Sequence, residues 1–300
     1  MMDFELWYTE EHTDCLRFTM KVKQHLYSKQ SPFQKIEVLD TYEFGKVLIL
    51  DGLIMITEKD EFIYHEMITH VPMAVNPKIK NVLVIGGGDG GTVRELTKYD
   101  SIQHIDMVEI DEMVVETAKK FFPQTSCKLD DKRVSLHFED GIRFIQDKKD
   151  VYDLILVDST DPLEGPGEVL FTKEFYQDCY AALTENGILI NQNETFFYEW
   201  EANAMLRAVR KLKSIFPICK VYQYNMPTYP SGNWLFGFSS KKLHPLDDFQ
   251  PDRWNALNIQ TRYYNTDLHR GAFALPNYAK EMLVSEDYGK SIAKFYDAEL

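Results

Sequence analysis

Two aspartates follow a strongly apolar run, at a spacing that suits chemistry on an amine. Asp158 comes directly after the apolar segment 154–157, and Asp161 stands in the loop that begins there. An alkylammonium has a pKa near ~10.4, so presenting the neutral amine at neutral pH costs roughly 4–5 kcal/mol unless the site takes up the proton. A carboxylate shielded from water reduces this cost. We expect the pair to hold a cationic amine and accept its proton, although a turn at Asp161 and a helix cap at Asp158 are the alternative.

A glycine-rich turn earlier in the chain indicates a nucleoside ligand. Gly86, Gly88 and Gly91 satisfy the pattern G-x-G-x-x-G between a strand pattern and a helix pattern. Dinucleotide binders and S-adenosylmethionine binders share this turn, and an ordinary strand-to-helix connection could also carry it. Asp89 lies inside the turn, where it would repel a pyrophosphate by about 4 kcal/mol at ~4 Å and an effective dielectric constant of ~20. The same charge would attract an ammonium or sulfonium ion.

Acidic residues at the ends of the next two predicted strands extend this interpretation. Glu109 ends the second strand, where a carboxylate can accept both ribose hydroxyls. Asp140 and Gly141 follow the third strand, a usual place for contact with an adenine amino group. Asp140 could equally cap the helix that begins at Ile142, and both roles are compatible.

Aromatic and amide side chains complete the predicted site. Tyr64, Tyr229 and Trp234 could pack along an aliphatic amine that Gln192 helps to position, or they could belong to the core. His65 and His70 lie five residues apart on a predicted helix, which is poor spacing for one metal ion. The four cysteines are widely separated and read as reduced thiols, so the sequence predicts no metal site.

Composition restricts the possible partners. The net charge of −14 argues against nucleic-acid binding and is compatible with cationic substrates, although solubility alone would also explain it. No apolar run approaches the ~20 residues that a membrane span needs, and the first residues lack a signal-peptide pattern. We therefore expect a cytoplasmic protein without a membrane anchor.

The periodicity of the chain changes near residue 60. Segments 17–23, 33–39, 45–50 and 53–56 alternate with period two and predict a small antiparallel β domain over residues 1–60. A helix follows from Glu61 and is expected to end near Pro72. Strand patterns then alternate with helices, which predicts a doubly wound, mostly parallel sheet, Rossmann-like and of the S-adenosylmethionine-dependent methyltransferase type, in a catalytic domain over residues 61–300. The predicted strands are 81–85, 104–110, 134–138, 152–157, 187–191, 219–224 and 234–239. The last seventeen residues, 284–300, read as a loosely attached helix.

Taken together, these motifs resemble the polyamine aminopropyltransferase family, in order and with compatible spacing from about residue 6 to residue 276. The matching segments are 64–67, 86–91, 108–111, 158–162, 170–171, 228–232 and 263–270.

The resemblance implies a reaction and a set of roles. The reaction is transfer of an aminopropyl group from decarboxylated S-adenosylmethionine, as co-substrate, to putrescine, giving spermidine and methylthioadenosine without a metal or prosthetic group. Asp158 would be the proton acceptor and Asp89 and Asp161 would hold substrate amines. Homodimers or homotetramers are usual in the family. The remaining implied contacts are Tyr64, His65, Gln192 and Tyr229 along the amine channel and Gln34, Glu109, Asp140, Gly141 and Pro166 around the nucleoside.

Three other classes share part of this pattern. A small-molecule methyltransferase would keep the glycine turn and Glu109, but it needs room for the methionine carboxylate where Asp89 stands. A binding protein without catalysis would not need the acid pair 158 and 161. A nicotinamide dehydrogenase is disfavoured because the acidic turn opposes pyrophosphate.

Overall fold

The computed structural model describes residues 5–159 and 168–285, which form two sheets with helices. The first sheet is antiparallel throughout, and its strands lie in chain order. Asp51 and Gly52 form a two-residue hairpin turn, with φ angles of 48° and 85° in the left-handed region that such turns require. The strands are β1 (Leu6–Thr13), β2 (Leu16–Gln30), β3 (Lys35–Thr41), β4 (Gly45–Leu50) and β5 (Leu53–Thr57).

Helix α1 (Glu61–Val75) begins where predicted but runs past Pro72, so its expected end near Pro72 is wrong. The proline carbonyl still accepts from the Asn76 amide at 2.9 Å. Val71 and Val75 are fully buried on either side of the proline. Burial of this segment therefore outweighs the local preference of proline to end a helix.

The second sheet is the predicted doubly wound, mostly parallel sheet, which is confirmed. Its spatial order is β11-β12-β10-β9-β6-β7-β8, with β12 antiparallel to both of its neighbours. The chain passes from β6 to β7 and β8 on one side of β6, and β9 lies on its other side, parallel to it. The strand order therefore reverses between β6 and β9. The strands are β6 (Asn81–Gly86), β7 (His104–Val108), β8 (Val134–His137), β9 (Tyr152–Asp158), β10 (Leu183–Asn193), β11 (Ile218–Asn225) and β12 (Asn233–Ser240).

Helices cover both faces of this sheet. Val84 and Leu156 point into the cluster that includes α1, whereas Ile85 and Val157 point into the cluster on the opposite face. Strands buried on both faces explain the nearly continuous apolar runs of the sequence. The further helices are α2 (Gly91–Leu96), α3 (Glu112–Phe121), α4 (Pro123–Ser126), α5 (Gly141–Ile145), α6 (Lys173–Ala182), α7 (Glu199–Lys213), α8 (Pro251–Ala256), α9 (Thr266–Ala272) and α10 (Asn277–Val284), with a 3-10 turn at Glu168–Phe171.

Hydrogen bonds link the two sheets close to residue 60. The Tyr229 hydroxyl donates to the Met55 carbonyl at 2.7 Å, and the Thr228 hydroxyl donates to the Asp60 carboxylate at 2.7 Å. The division into domains 1–60 and 61–300 stays a prediction. Of the tail predicted from residue 284, residues 286–300 lie outside the described residues. Along the described part of the chain, no helix is both long and apolar enough to cross a membrane.

Candidate active site

The carboxyl ends of the parallel strands meet at the rim of one cavity of about 640 Å³. Gly86 at the end of β6 pairs with Asp158 at the end of β9, at the point where the strand order reverses. Ligands of open α/β sheets bind at this place. The site residues predicted from the sequence that line the cavity are Gln34, Tyr64, His65, Gly86, Gly88, Asp89, Glu109, Asp140, Gly141, Asp158, Gln192 and Tyr229.

The glycine turn brings the backbone against two acidic side chains. Gly86 has a φ of +82°, and a Cβ atom there would lie 2.0 Å from the Asp158 carbonyl oxygen. A Cβ atom at Gly88 would lie 2.9 Å from an oxygen of the Glu109 carboxylate. Both positions therefore require glycine for close approach, as the motif predicts.

Asp158 is a partly buried carboxylate held by two hydroxyl groups. The Thr92 hydroxyl donates to its Oδ2 atom at 2.6 Å, and the Tyr64 hydroxyl is also hydrogen-bonded to it. Burial raises the pKa of Asp158, the negative charge of Asp89 raises it further, and the charge of His65 opposes both. A carboxylate with a raised pKa binds a proton more tightly than an exposed one, which suits a proton acceptor.

Glu109 is partly buried beside the glycine turn. Its Oε1 atom accepts a hydrogen bond from the Asp111 amide at 3.0 Å. Burial raises the pKa of Glu109 to about 7, with the charges of Asp111 and Asp158 acting in the same direction and the amide acting against them. An unliganded Glu109 is therefore an electrostatically costly group, as expected of a residue that awaits hydroxyl donors.

The residues predicted to surround the nucleoside base are also at the cavity. Asp140 caps α5, because the Ile142 amide donates to its Oδ1 atom at 2.8 Å, so the capping interpretation is correct. Its side chain lines the cavity at the same time. Gln34 comes from the first sheet and donates to Asp111 Oδ2 at 3.1 Å, which ties that sheet to the loop after β7.

The amine side of the predicted site is aromatic. Tyr64 is buried on α1 and meets the Phe236 ring edge-on at 4.9 Å. The rings of Tyr229 and Trp234 lie 5.2 Å apart, and Gln192 is buried near the end of β10. Asp161 and Pro166, which the sequence also assigned to the site, lie outside the described residues.

Asp89 faces a histidine that belongs to an ion-pair network. Asp89 Oδ1 accepts from the Gly91 amide at 2.8 Å and lies 3.1 Å from His65 Nε2. The other ring nitrogen, Nδ1, lies 2.6 Å from Glu61 Oε2. Burial alone would lower the pKa of His65, but the charges of Asp89 and Glu61 raise it to about 10.

His70 lies 3.0 Å from Glu95 Oε2 through its Nε2 atom, and Arg94 Nε donates to Glu95 Oε1 at 2.9 Å, so Arg94 connects this pair to the network of His65. Within residues 5–159 and 168–285, no group of three or more His, Cys, Asp and Glu side chains is placed to hold a metal ion.

Sequence reasoning missed a second group of lining residues. Glu10 and His12 come from β1, and Trp200 and Glu201 come from the start of α7. His12 Nε2 lies 3.4 Å from Glu201 Oε1 and Glu10 accepts from the Ile54 amide at 2.6 Å. The local sequence predicts a strand at Glu10 and His12 and a helix start at Trp200 and Glu201. Nothing in it predicts that these two segments lie at the same cavity.

The cavity is strongly acidic. Of the described residues that line it, none is a lysine or an arginine. Its carboxylates come from both sheets and from α7, so the negative potential extends over its whole length. Such a lining favours a ligand with several positive charges. The lining carboxylates are Glu10, Glu11, Asp89, Glu109, Asp140, Asp158 and Glu201.

Comparison with known proteins identifies the family. A family model described as the spermine/spermidine synthase domain matches residues 61–250, and the spermidine synthase tetramerisation domain matches residues 6–58. The chain belongs to the spermine/spermidine synthase family. It is accordingly an enzyme of the transferase class.

Relatives in this family are similar over nearly their whole length. The polyamine aminopropyltransferase of Alkaliphilus metalliredigens is 64% identical over 279 residues, covering 93% of this chain and 98% of the relative. That of Alkaliphilus oremlandii is 62% identical over 283 residues, covering 94% and 99%.

Two solved structures share the fold. A spermidine synthase in complex with the transition state analogue AdoDATO has a TM-score of 0.90 at 44% identity and covers 93% of this chain and 94% of its own. The spermidine synthase from Thermotoga maritima has a TM-score of 0.87 at 42% identity, with the same coverage.

Proposed function

We propose that this enzyme transfers the aminopropyl group of decarboxylated S-adenosylmethionine to putrescine, giving spermidine and methylthioadenosine. The observation that carries the proposal is one acidic cavity in which Asp89, Glu109 and the partly buried Asp158 surround the glycine turn. The names of the relatives and the analogue bound in a solved neighbour support the same donor and reaction class.

The donor occupies the rim formed by the strand ends. Glu109 accepts the ribose hydroxyls, and Asp140 and Gly141 lie at the adenine. Asp89 holds the terminal ammonium, and Gly86 and Gly88 allow the backbone to approach the sulfonium end of the donor closely. Gln34 closes the nucleoside side from the first sheet, and Pro166 is assigned to the same side from the resemblance alone.

The acceptor amine lies against Asp158. Its nitrogen lone pair attacks the propyl carbon attached to the sulfonium, the C–S bond breaks, and sulfur keeps the electron pair as the neutral thioether of methylthioadenosine. The amine proton passes to Asp158, whose raised pKa favours uptake. Tyr64 orients that carboxylate.

The other acceptor contacts and the alignment of the substrates follow from the same arrangement. Gln192, Tyr229 and Asp161 hold the rest of the acceptor, and His65 contributes through Asp89. The sulfonium is already a good leaving group, so catalysis consists mainly of alignment and proton removal.

The first sheet is proposed to carry the assembly of the enzyme. The segment 6–58 matches a tetramerisation domain, which supports the predicted homodimer or homotetramer. A cytoplasmic location stays a prediction from the sequence.

A substrate panel tests the proposal. Purified enzyme is incubated with decarboxylated S-adenosylmethionine and, in turn, 1,3-diaminopropane, putrescine, cadaverine or spermidine, and products are identified by mass spectrometry. We expect spermidine and methylthioadenosine with putrescine as the preferred acceptor. Preference for another amine would correct the acceptor, and methyl transfer from S-adenosylmethionine with no aminopropyl product would overturn the reaction.

A further inference from the structure

Four charged side chains form a continuous buried ion chain that ends at the candidate active site. Arg94 on α2 donates to both oxygens of Glu61, at 2.8 and 2.9 Å. Glu61 Oε2 lies 2.6 Å from His65 Nδ1, and His65 Nε2 lies 3.1 Å from Asp89 Oδ1. The His65 side chain is 1% exposed and that of Glu61 is 5% exposed. Water therefore cannot replace any partner of the histidine ring.

This geometry determines the protonation of His65. A neutral imidazole has one donor nitrogen and one acceptor nitrogen, whereas the imidazolium ion has two donors. Each nitrogen of His65 faces a carboxylate oxygen, and carboxylates only accept hydrogen bonds. A neutral ring would direct one lone pair at a carboxylate, so the ring is an imidazolium.

The ring is also fixed in place. A Cβ atom at Gly91 would lie 2.2 Å from His65 Cε1, so the start of α2 packs directly against the ring. The titratable groups that act on His65 are Glu61 and Tyr64 on α1, Asp89 in the glycine turn and Asp158 on β9, with Arg94 on α2 acting through Glu61. Among these groups the nearest charges are the two carboxylates of the ion chain.

The positive ring compensates for repulsion in the cavity. The charge of Asp89 makes ionisation of Asp158 more costly, while the charge of His65 acts on Asp158 in the opposite direction. Arg94 and Glu61 are not among the cavity-lining residues, and the ion chain connects them to the cavity through His65.

We propose that Glu61 and Arg94 are positioning residues that hold His65 as a fixed internal cation, which favours the ionised form of Asp158 before the substrates bind. The inference rests on the proposed function for its kinetic consequence. It assigns His65 to the charge balance of the proton acceptor and not to direct recognition of a substrate amine.

The pH profile of kcat/KM for decarboxylated S-adenosylmethionine tests this role in His65→Gln. The low-pH side of this profile, its acid limb, reports the ionisation of groups in the free enzyme. Loss of the cation should move that limb to higher pH by at least about one unit, so that activity on the limb falls about tenfold and recovers as the pH rises. Binding of methylthioadenosine should change less than about twofold, because this product lacks the aminopropyl group that Asp89 is proposed to hold. An equal loss at every pH, or an unmoved limb, would overturn the proposal.

Glu61→Gln tests the support of the ring. With 15N-labelled histidine, the His65 signal should show an imidazolium from pH 6 to pH 9 in the unsubstituted enzyme and a titration within that range in the variant. The matched control is Asp106→Asn, which removes the carboxylate beside His104 and His137 on the second sheet and should leave the His65 signal unchanged. A neutral His65 ring at pH 7 in the unsubstituted enzyme would refute the inference. So would an imidazolium that the Glu61 substitution leaves unchanged.

Two further outcomes are separable. If the enzyme does not turn over the decarboxylated donor, the proposed function fails, while the histidine titration still decides the charge of the ring. If Glu61→Gln does not fold, the pH profile of His65→Gln carries the test by itself.

Discussion

Removing the charge of Glu109 should stabilise the empty enzyme while it weakens nucleoside binding. Raising the pKa of this group from 4.5 to about 7 corresponds to about 3 kcal/mol, since each pKa unit is worth about 1.4 kcal/mol. In the unfolded chain Glu109 loses its proton near pH 4.5, but in the folded enzyme it does so only near pH 7. Ionisation of Glu109 therefore lowers the free energy of unfolding by an amount that grows between pH 4.5 and pH 7 and is complete above pH 7.

Glu109→Gln removes this penalty and keeps the acceptor oxygen for the Asp111 amide. The free energy of unfolding of the variant should thus exceed that of the unsubstituted enzyme by about 1–3 kcal/mol at pH 8, the lower figure allowing for the new amide donors. The difference should shrink by about 2 kcal/mol between pH 8 and pH 5 and approach zero only near pH 4, below both pKa values. Affinity for methylthioadenosine should fall, because a charge-assisted hydrogen bond to the ribose becomes a neutral one.

Chemical denaturation of both proteins at pH 5 and pH 8, at one protein concentration, measures the effect. Glu139→Gln, an exposed carboxylate at the end of β8, is the matched control and should change neither stability nor binding. A stability difference that is the same at both pH values would refute the electrostatic reasoning. Unchanged affinity for methylthioadenosine would refute the ribose role.

Three further predictions concern the catalytic and binding groups. Asp158→Asn should lower kcat at least about 100-fold, because the amide cannot accept the proton, while the variant still binds methylthioadenosine. A variant that keeps more than about a tenth of the original rate at neutral pH would contradict this role. Asp89→Asn should reduce the ratio of affinities for decarboxylated S-adenosylmethionine and S-adenosylmethionine at least about tenfold in competition binding, which corresponds to ~1.4 kcal/mol. An unchanged ratio would show that Asp89 does not contact this end of the donor. Tyr229→Phe deletes the 2.7 Å hydrogen bond to the Met55 carbonyl and should lower the free energy of unfolding by about 1 kcal/mol. A fully stable Tyr229→Phe protein would mean that water or another donor replaces the bond.

The residues predicted from the sequence to surround the donor are those that follow parallel strands. Glu109, Asp140 and Asp158 could be placed together because parallel strands end at one edge of the sheet. The capping bond of Asp140 follows from local spacing as well, but whether its side chain also meets an adenine does not. Roles that depend on a bound ligand stay predictions.

Residues whose contacts join distant segments were not predictable. His12 meets Glu201 across most of the chain, and Glu61 meets Arg94 between two helices. Local periodicity carries no information about such pairs. The wrong end of α1 has a related cause, because the proline rule is local and the burial that overrides it at Pro72 is tertiary.

The two groups of cavity-lining residues stand on different elements of the fold, so one group can be substituted without the other. The proposed donor contacts lie mostly at strand ends of the second sheet, where any change disturbs the packing of the glycine turn. The group formed by Glu10, His12 and Glu201 is held by β1 and α7 instead. Substitutions in this group can therefore alter the charge of the cavity away from the strand ends that are proposed to hold the nucleoside. A library restricted to these positions would explore new amine acceptors on an unchanged donor scaffold.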